Sequence, residues 1–213
     1  MKRAVKLIAF PRRQVALRQG IPLLLVYGLL FPYQLRLFRI YDEMQAAREL
    51  FRSSQLMLAF LTLWPLFCFF LPVYHLGARE TLRALRHPVV PCALCLALTE
   101  QMVCIPLYGW MLWRLPQYRE IVGILLFQSA CLTLLFALLL YLLRAPVIAM
   151  TAGLLYLCLS IPLADARIPL LLRPGRLLDG FGADYWALHG MLAVGMAVFL
   201  FAHARLYRPS KLS

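Results

Sequence analysis

Charged residues punctuate this chain at long intervals, and the stretches between them are apolar over membrane-spanning lengths. Six runs are almost free of charge: 21–35, 56–76, 89–113, 121–143, 145–163 and 186–204. A helix crosses the hydrocarbon core of a bilayer with about 20 such residues, and about 17 to 25 are tolerated. None of the runs alternates apolar and polar positions as a barrel strand does. The pattern therefore predicts an all-α integral membrane protein with six transmembrane helices. The first run is the shortest. Pro22 and Pro32 bracket it and Arg36 ends it, so its helix must snorkel Arg36 to the interface or start earlier, on Gln19. The third carries Glu100, and Pro106 is predicted to kink it.

The chain ahead of the first run has a different pattern. Its apolar piece, residues 7–10, is too short for a signal-peptide core, and Pro11, Arg12 and Arg13 follow where that core should continue. Residues 1–20 are expected to lie on the membrane surface as an interfacial helix. Leu7, Ile8, Phe10, Val15 and Leu17 would dip inward, with Lys2, Arg3, Lys6, Arg12, Arg13 and Arg18 toward anionic headgroups. Residues 1–213 are then expected to form a single transmembrane domain: the interfacial segment, a six-helix bundle over 21–204, and a cytoplasmic tail over 205–213. The stretch 39–55 has few helix breakers and is also expected to be helical, with Tyr41, Met44, Ala47 and Phe51 on one side.

Composition agrees. Of 213 residues 63% are hydrophobic and 15% charged, with a mean hydropathy of +0.77, whereas a soluble domain is about half apolar and about a quarter charged. The net charge of +13 does not signal nucleic acid. A groove binder carries its bases on a solvated face around an ordinary core, but here they sit between apolar blocks, where membrane lipid is the partner. With six spans both termini share one side. That side holds 13 bases against 9 on the other, so the positive-inside rule puts both termini in the cytoplasm of a multi-pass protein of the cell inner (plasma) membrane.

Candidate chemistry is sparse. All six cysteines fall in apolar runs, and the single Cys92-x-x-Cys95 pair has no second pair or nearby histidine to complete a metal site. The expected role for these cysteines is as small residues at helix interfaces. His75, His87, His189 and His203 are scattered between the two rims and are expected to be interfacial side chains, so no metal is predicted. Nor is there a paired-carboxylate or Ser/His constellation, so no catalytic residue is assigned. Glu100 stands out. A charge at mid-membrane costs at least about 2.5 to 3.5 kcal/mol, so this carboxyl needs a partner, a cavity or a proton. Two roles compete: lining a translocation pathway with Gln101 and Gln128, or bonding a neighbouring helix through Gln128, Thr133 or Tyr156 purely for packing.

The loop Leu76-Gly-Ala-Arg-Glu-Thr-Leu-Arg-Ala-Leu-Arg-His-Pro88 is the most informative segment. Gly77 opens it and Pro88 closes it, leaving room for two to three helical turns. Leu82 and Leu85 share one stripe, Arg79, Arg83 and Arg86 another, and Glu80 can pair with Arg83. A solvated face and a docking helix both fit that charge pattern. In the outer segment 163–186, Asp165, Arg167, Arg173, Arg176, Asp179 and Asp184 alternate with leucine-rich pieces broken by Pro169, Pro174, Gly175, Gly180 and Gly182. Short amphipathic or re-entrant helices at the outer leaflet are expected there, a plain solvated loop being the alternative.

Taken in order, these features resemble the permease subunits of type-2 ABC exporters over nearly the whole chain. Those permeases have an N-terminal interfacial helix, six spans and a coupling helix between spans two and three. A short cytoplasmic link joins spans four and five, and a partly helical extracellular element joins spans five and six. Thr81-Leu82, Leu85 and Pro88 are similar to the family's coupling region, although Glu80 stands where that region has Gly and Arg83 where it has Glu. The resemblance implies coupling to an ATPase through Arg79, Glu80, Thr81, Leu82, Arg83, Leu85 and Arg86. It implies a separate ATP-binding subunit carrying ATP and Mg, and a second permease copy or homologous permease. It also implies export of an amphipathic cargo such as a peptide, lipid or drug. No Gly-x-x-x-x-Gly-Lys-Ser/Thr loop occurs here, so no cofactor is expected in the chain itself. Two other classes remain open. One is a six-span enzyme or accessory factor acting on lipid-linked phosphates through Arg167–Arg176; the other is the substrate-binding membrane module of a vitamin importer.

Overall fold

The computed structural model describes residues 20–75, 89–160, 172 and 181–206. Residues 1–19 of the interfacial segment, the coupling residues Arg79, Glu80, Thr81, Leu82, Arg83, Leu85 and Arg86, the arginine-rich outer segment Arg167–Arg176 apart from Leu172, and the tail from 207 lie outside the described residues. Among those described, the regular structure is helical: α1 (Gly20–Ile40), α2 (Glu43–His75), α3 (Val89–Val103), α4 (Ile105–Arg114), α5 (Glu120–Leu143), α6 (Pro146–Ser160) and α7 (Ala183–Leu206). Each predicted run falls on one of these helices, or on the α3–α4 pair.

Four helices are long and apolar enough to cross a bilayer: Gly20–Ile40, Glu43–Leu71, Glu120–Leu143 and Ala183–Ala202. A fifth crossing is reached if the bent pair α3–α4 is one span. The run at 145–163 is described as the 15-residue apolar helix α6, which at about 1.5 Å per residue falls short of a bilayer core.

Local chemistry sets the helix ends. In α1, Pro32 has no N–H for the Gly28 carbonyl, and its ring would collide with that carbonyl in a regular α-helix. The backbone widens instead into a π-helical turn over Leu24–Leu30, in which the Phe31 N–H reaches the Val26 carbonyl. The helix then runs on past Arg36 and Arg39, both exposed, to Ile40; the charged heads stay outside while the stems cover apolar surface. Asp42 begins α2 as its cap, its Oδ1 accepting the Gln45 N–H at 2.7 Å. The helix expected over 39–55 is therefore interrupted: Arg39 and Ile40 end α1, Tyr41 and Asp42 are not helical, and only the part from Glu43 to Gln55 opens α2. Its apolar side is drawn differently from expectation: Ala46, Ala47, Leu50 and Phe51 are buried, whereas Tyr41 and Met44 are exposed.

At the other end of the bundle, α5 stops at Arg144, which takes the left-handed conformation (φ 52°) while its N–H bonds the Leu140 carbonyl at 2.9 Å. Pro146 then opens α6 in the first-turn position that tolerates it. This is a reversal of minimal length, and it sets α6 against α2.

The helices α2 and α5 form the centre. Of the most apolar window in each, 61% is buried, against 28% for α1 and 17% for α7, so the last two are the peripheral helices. The central helix α2 packs on α5, α6, α3 and α1, and α5 also touches α3, α6 and α7. The core between them holds Phe51, Leu58, Leu63, Leu66 and Phe70 from α2, and Ile124, Leu125, Leu132, Phe136 and Leu140 from α5.

Candidate functional site at a broken membrane helix

Pro106 breaks the third apolar run as its sequence predicts. Lacking an N–H, it leaves the Met102 carbonyl without its helical donor. The Cys104 N–H is shared between the carbonyls of Glu100 (3.2 Å) and Gln101 (3.1 Å), and α4 departs from α3 at 48°. Freed carbonyls at membrane depth need donors, and one comes from α1. The Tyr27 hydroxyl donates to the Val103 carbonyl at 2.6 Å, closing over 76 positions of sequence. Tyr27 belongs to the π turn, so the irregular turn of one helix is tied to the break in another. Both irregularities are made by proline.

Three further groups meet at this break. Tyr108 donates its hydroxyl to Gln101 Oε1 at 2.7 Å, bracing α4 against α3. The Cys104 thiol at the same break is itself buried. Glu100 is 6% exposed, and its carboxyl has no hydrogen bond or ion pair among the described residues. The packing role expected of it fails on that point. Gln128, Thr133 and Tyr156 are engaged elsewhere: Thr133 donates to the Ser129 carbonyl of its own helix (2.9 Å), and the Tyr156 hydroxyl accepts from the Leu172 N–H (3.3 Å).

Gln128 belongs to a second polar cluster. Gln55 Nε2 of α2 donates to Gln128 Oε1 of α5 (3.1 Å), and Gln128 Nε2 donates to the Tyr185 hydroxyl of α7 (3.1 Å). One side chain thus ties three helices. Nearby, Gln34 of α1 donates to Ser54 of α2 at 2.8 Å with both residues fully buried. His189 is buried too, not interfacial as expected: its ring lies 4.4 Å from that of Tyr185, and its Nδ1 is 2.9 Å from the Tyr185 carbonyl. Gln55, Gln128, Ser129 and Leu172 come together beside this cluster with no room for a water molecule between them.

The three residues expected along one pathway therefore divide. Glu100 and Gln101 sit at the helix break, and Gln128 sits in the junction of α2, α5 and α7. Tyr27, Tyr108 and Tyr185 carry much of the geometry, and sequence reading passed over them because a tyrosine in an apolar run reads as an ordinary membrane residue. Gln34 and Gln55 had a legible signal, an amide inside or beside a hydrophobic run. Of the cysteines, Cys104 and Cys131 are buried as expected, but Cys95 and Cys158 face outward, so these two do not serve a helix interface within this chain. Among the described residues no three of His, Cys, Asp and Glu come together as a metal site.

No protein-family model, characterised protein or solved structure matches the chain. The site must be read from its own chemistry. It joins a buried carboxyl, the carbonyl end of a helix, and two tyrosine hydroxyls that brace a break in a membrane helix.

Proposed function

We propose that this chain is the membrane-spanning permease subunit of an ATP-driven exporter. It would couple a separate ATP-binding subunit to movement of an amphipathic cargo (a peptide, lipid or drug). The observation that carries the reading is the broken span α3–α4, bent by 48° with Glu100 and Gln101 at the break. A continuous membrane helix resists bending because every backbone bond is made internally. A helix already broken, with its free carbonyl held by a side chain from another helix, changes angle at little backbone cost. Discontinuous helices of this kind are where membrane transporters place their binding groups.

In this reading the protein has six spans with both termini cytoplasmic, in the cell inner (plasma) membrane, and α6 is the fifth of them. Arg79, Glu80, Thr81, Leu82, Arg83, Leu85 and Arg86 form the coupling helix against the ATPase, which carries ATP and Mg. A second permease copy or homologous permease completes the transporter. Segments around Arg167–Arg176 form short outer helices between the last two spans.

Affinity-tagged chain expressed with the ATPase encoded beside it should purify as a stable complex. Changing Leu82 and Leu85 together to Asp should dissociate it and stop export without removing the chain from the membrane. If no neighbouring ATPase co-purifies, or if the double variant keeps full association and export, the reading is wrong.

A further inference from the structure

Where α1 and α4 end side by side, the carboxylates are engaged and two arginines are not. Asp42 caps α2 through the Gln45 N–H, Glu43 accepts the Gln117 side-chain amide at 2.6 Å, and Glu49 lies 3.8 Å from Arg52. Arg39, in the last turn of α1, and Arg114, in the last turn of α4, form no ion pair among the described residues, and both are exposed. What Arg114 meets is an aromatic ring: its guanidinium carbon lies 4.9 Å from the centre of the ring of Phe38, the residue before Arg39. Stacking uses the flat face of a guanidinium and leaves its N–H edge free. The Glu43–Gln117 bond ties the turn after α4 to the start of α2, so the two helix ends are held together.

Away from these charges the same pair of helices forms a groove open to lipid. Trp110 of α4 meets Phe31 and Phe38 of α1 edge-on, with ring centres 5.2 and 5.8 Å apart, and these rings make its floor. On one side of that contact Leu37 and Met111 turn into the core. Helical spacing puts Leu35 and Arg39 on the other side of α1, and Gly109 and Trp113 on the other side of α4, each pair four residues apart; all four are exposed. A methyl built on Gly109 has nothing within 4 Å, so the groove is open there. Trp113, 77% exposed, stands beside Arg114 as tryptophans do at headgroup level. An apolar groove that ends in two unpaired guanidinium groups fits a molecule with a hydrocarbon chain and an anionic head. We propose that the groove between α1 and α4 binds one anionic glycerophospholipid, its phosphate held by Arg39 and Arg114 and one acyl chain lying along Leu35, Trp110 and Gly109. Arginine suits the phosphate by its bidentate fork.

The test uses the full chain in detergent micelles without any ATPase, so its outcome is independent of the export reading. Phosphatidylglycerol or phosphatidylcholine is titrated in, and retained lipid is counted by native mass spectrometry. One phosphatidylglycerol should be retained, with half-saturation at least about tenfold below that of phosphatidylcholine. A basic side chain at a headgroup is worth about a factor of five in binding, so Arg39→Gln and Arg114→Gln should each weaken retention about fivefold and the pair about twenty-five-fold. Gly109→Leu, whose added side chain starts in open space, should fill the groove and weaken retention as well. Arg48→Gln and Gly123→Leu, exposed elsewhere, should change nothing. Equal retention of the two lipids, an equal loss in Arg48→Gln, or unchanged retention in Gly109→Leu or the double arginine variant overturns the proposal. So does displacement of the lipid by glycerol phosphate at a similar concentration, since the acyl chain then contributes nothing. Should the variants fail to fold, the wild-type chain is treated with phenylglyoxal and its peptides are weighed. Phosphatidylglycerol should protect Arg39 and Arg114 but not Arg48, and unchanged labelling of the first two overturns the proposal.

Discussion

Gly153 of α6 faces Leu63 of α2 at closer range than any side chain allows. A methyl group built on Gly153 would lie 2.7 Å from Leu63 Cδ1 and 3.5 Å from Cδ2, and Leu63 is itself buried. Carbon atoms rest about 3.5 to 4 Å apart, so Gly153→Ala must push the leucine by roughly 1 Å within a packed core. Overpacking of this size costs about 1 to 3 kcal/mol. Against it stands the gain from replacing glycine by alanine in a helix, about 1 kcal/mol. The net expectation for Gly153→Ala is a loss of about 0 to 2 kcal/mol. Gly123 and Gly195 have nothing within 4 Å of such a methyl, so alanine there should be neutral or stabilising.

A sharper form of the experiment makes the pair. Leu63→Ala alone should cost about 2 to 5 kcal/mol by opening a cavity. In the double variant the methyl added at position 153 occupies part of that cavity and meets no clash, so the two losses should fall short of their sum by about 1 to 2 kcal/mol. Reversible unfolding in mixed micelles, followed by tryptophan fluorescence, measures all four corners of the cycle. If Gly153→Ala behaves like Gly195→Ala and the double variant is additive within about 0.5 kcal/mol, α6 does not meet α2 through this contact. The reasoning then fails.

Tyr27→Phe removes the donor to Val103 and should cost about 0.6 to 1.7 kcal/mol, the range found for hydrogen bonds between membrane helices; unchanged stability in unfolding measurements counts against the latch. Pro106→Ala restores an N–H for Met102 and should straighten the break, so spin labels at exposed Leu98 and Leu112 should move apart; an unaltered distance distribution means that packing, and not proline, sets the 48° bend. Arg144→Gly places the residue suited to φ 52° at the end of α5 and should gain up to about 1 kcal/mol, whereas Arg144→Val should lose stability; the opposite order in unfolding midpoints would contradict the left-handed turn.

Hydropathy and proline made the helices and one break legible before any coordinates. As far as the described residues go, each long charge-free run falls on a helix or, for the third, on a bent pair, and Pro106 marks that bend. What the pattern does not carry is the identity of the buried face. In a membrane protein both the core side and the lipid side of a helix are apolar, so periodicity loses the contrast it has in water. For that reason α1 and α7 read from sequence like α2 and α5, although much less of their surface is covered by the fold. The same loss hides His189, which rests on Tyr185, and separates Gln128 from Glu100. A run of apolar residues says that a polar group inside it is expensive, but not which other helix will meet it. The split of Tyr41 and Met44 from Ala47 and Phe51 follows similarly. Helical spacing places residues on a face, and only the neighbouring helices decide how wide the covered part of that face is.

The two proline irregularities illustrate how one local defect constrains another. Pro32 forces a π turn into α1, and Pro106 forces a break between α3 and α4. Either alone leaves backbone carbonyls short of donors in a medium that supplies none. Placed side by side, the first defect presents Tyr27 and the second presents the Val103 carbonyl, and a single 2.6 Å bond joins them. That bond can satisfy only one carbonyl. Met102 is left without its helical donor, and Glu100, two residues earlier on the opposite, buried side of the helix, keeps a carboxyl without a hydrogen-bond or ion-pair partner among the described residues. A region that had to be merely stable could exchange Glu100 for leucine and lose an intramembrane cost of several kcal/mol. The break is therefore the place where the bend of this helix pair can change, with Tyr27 as the contact that such a change must break or keep.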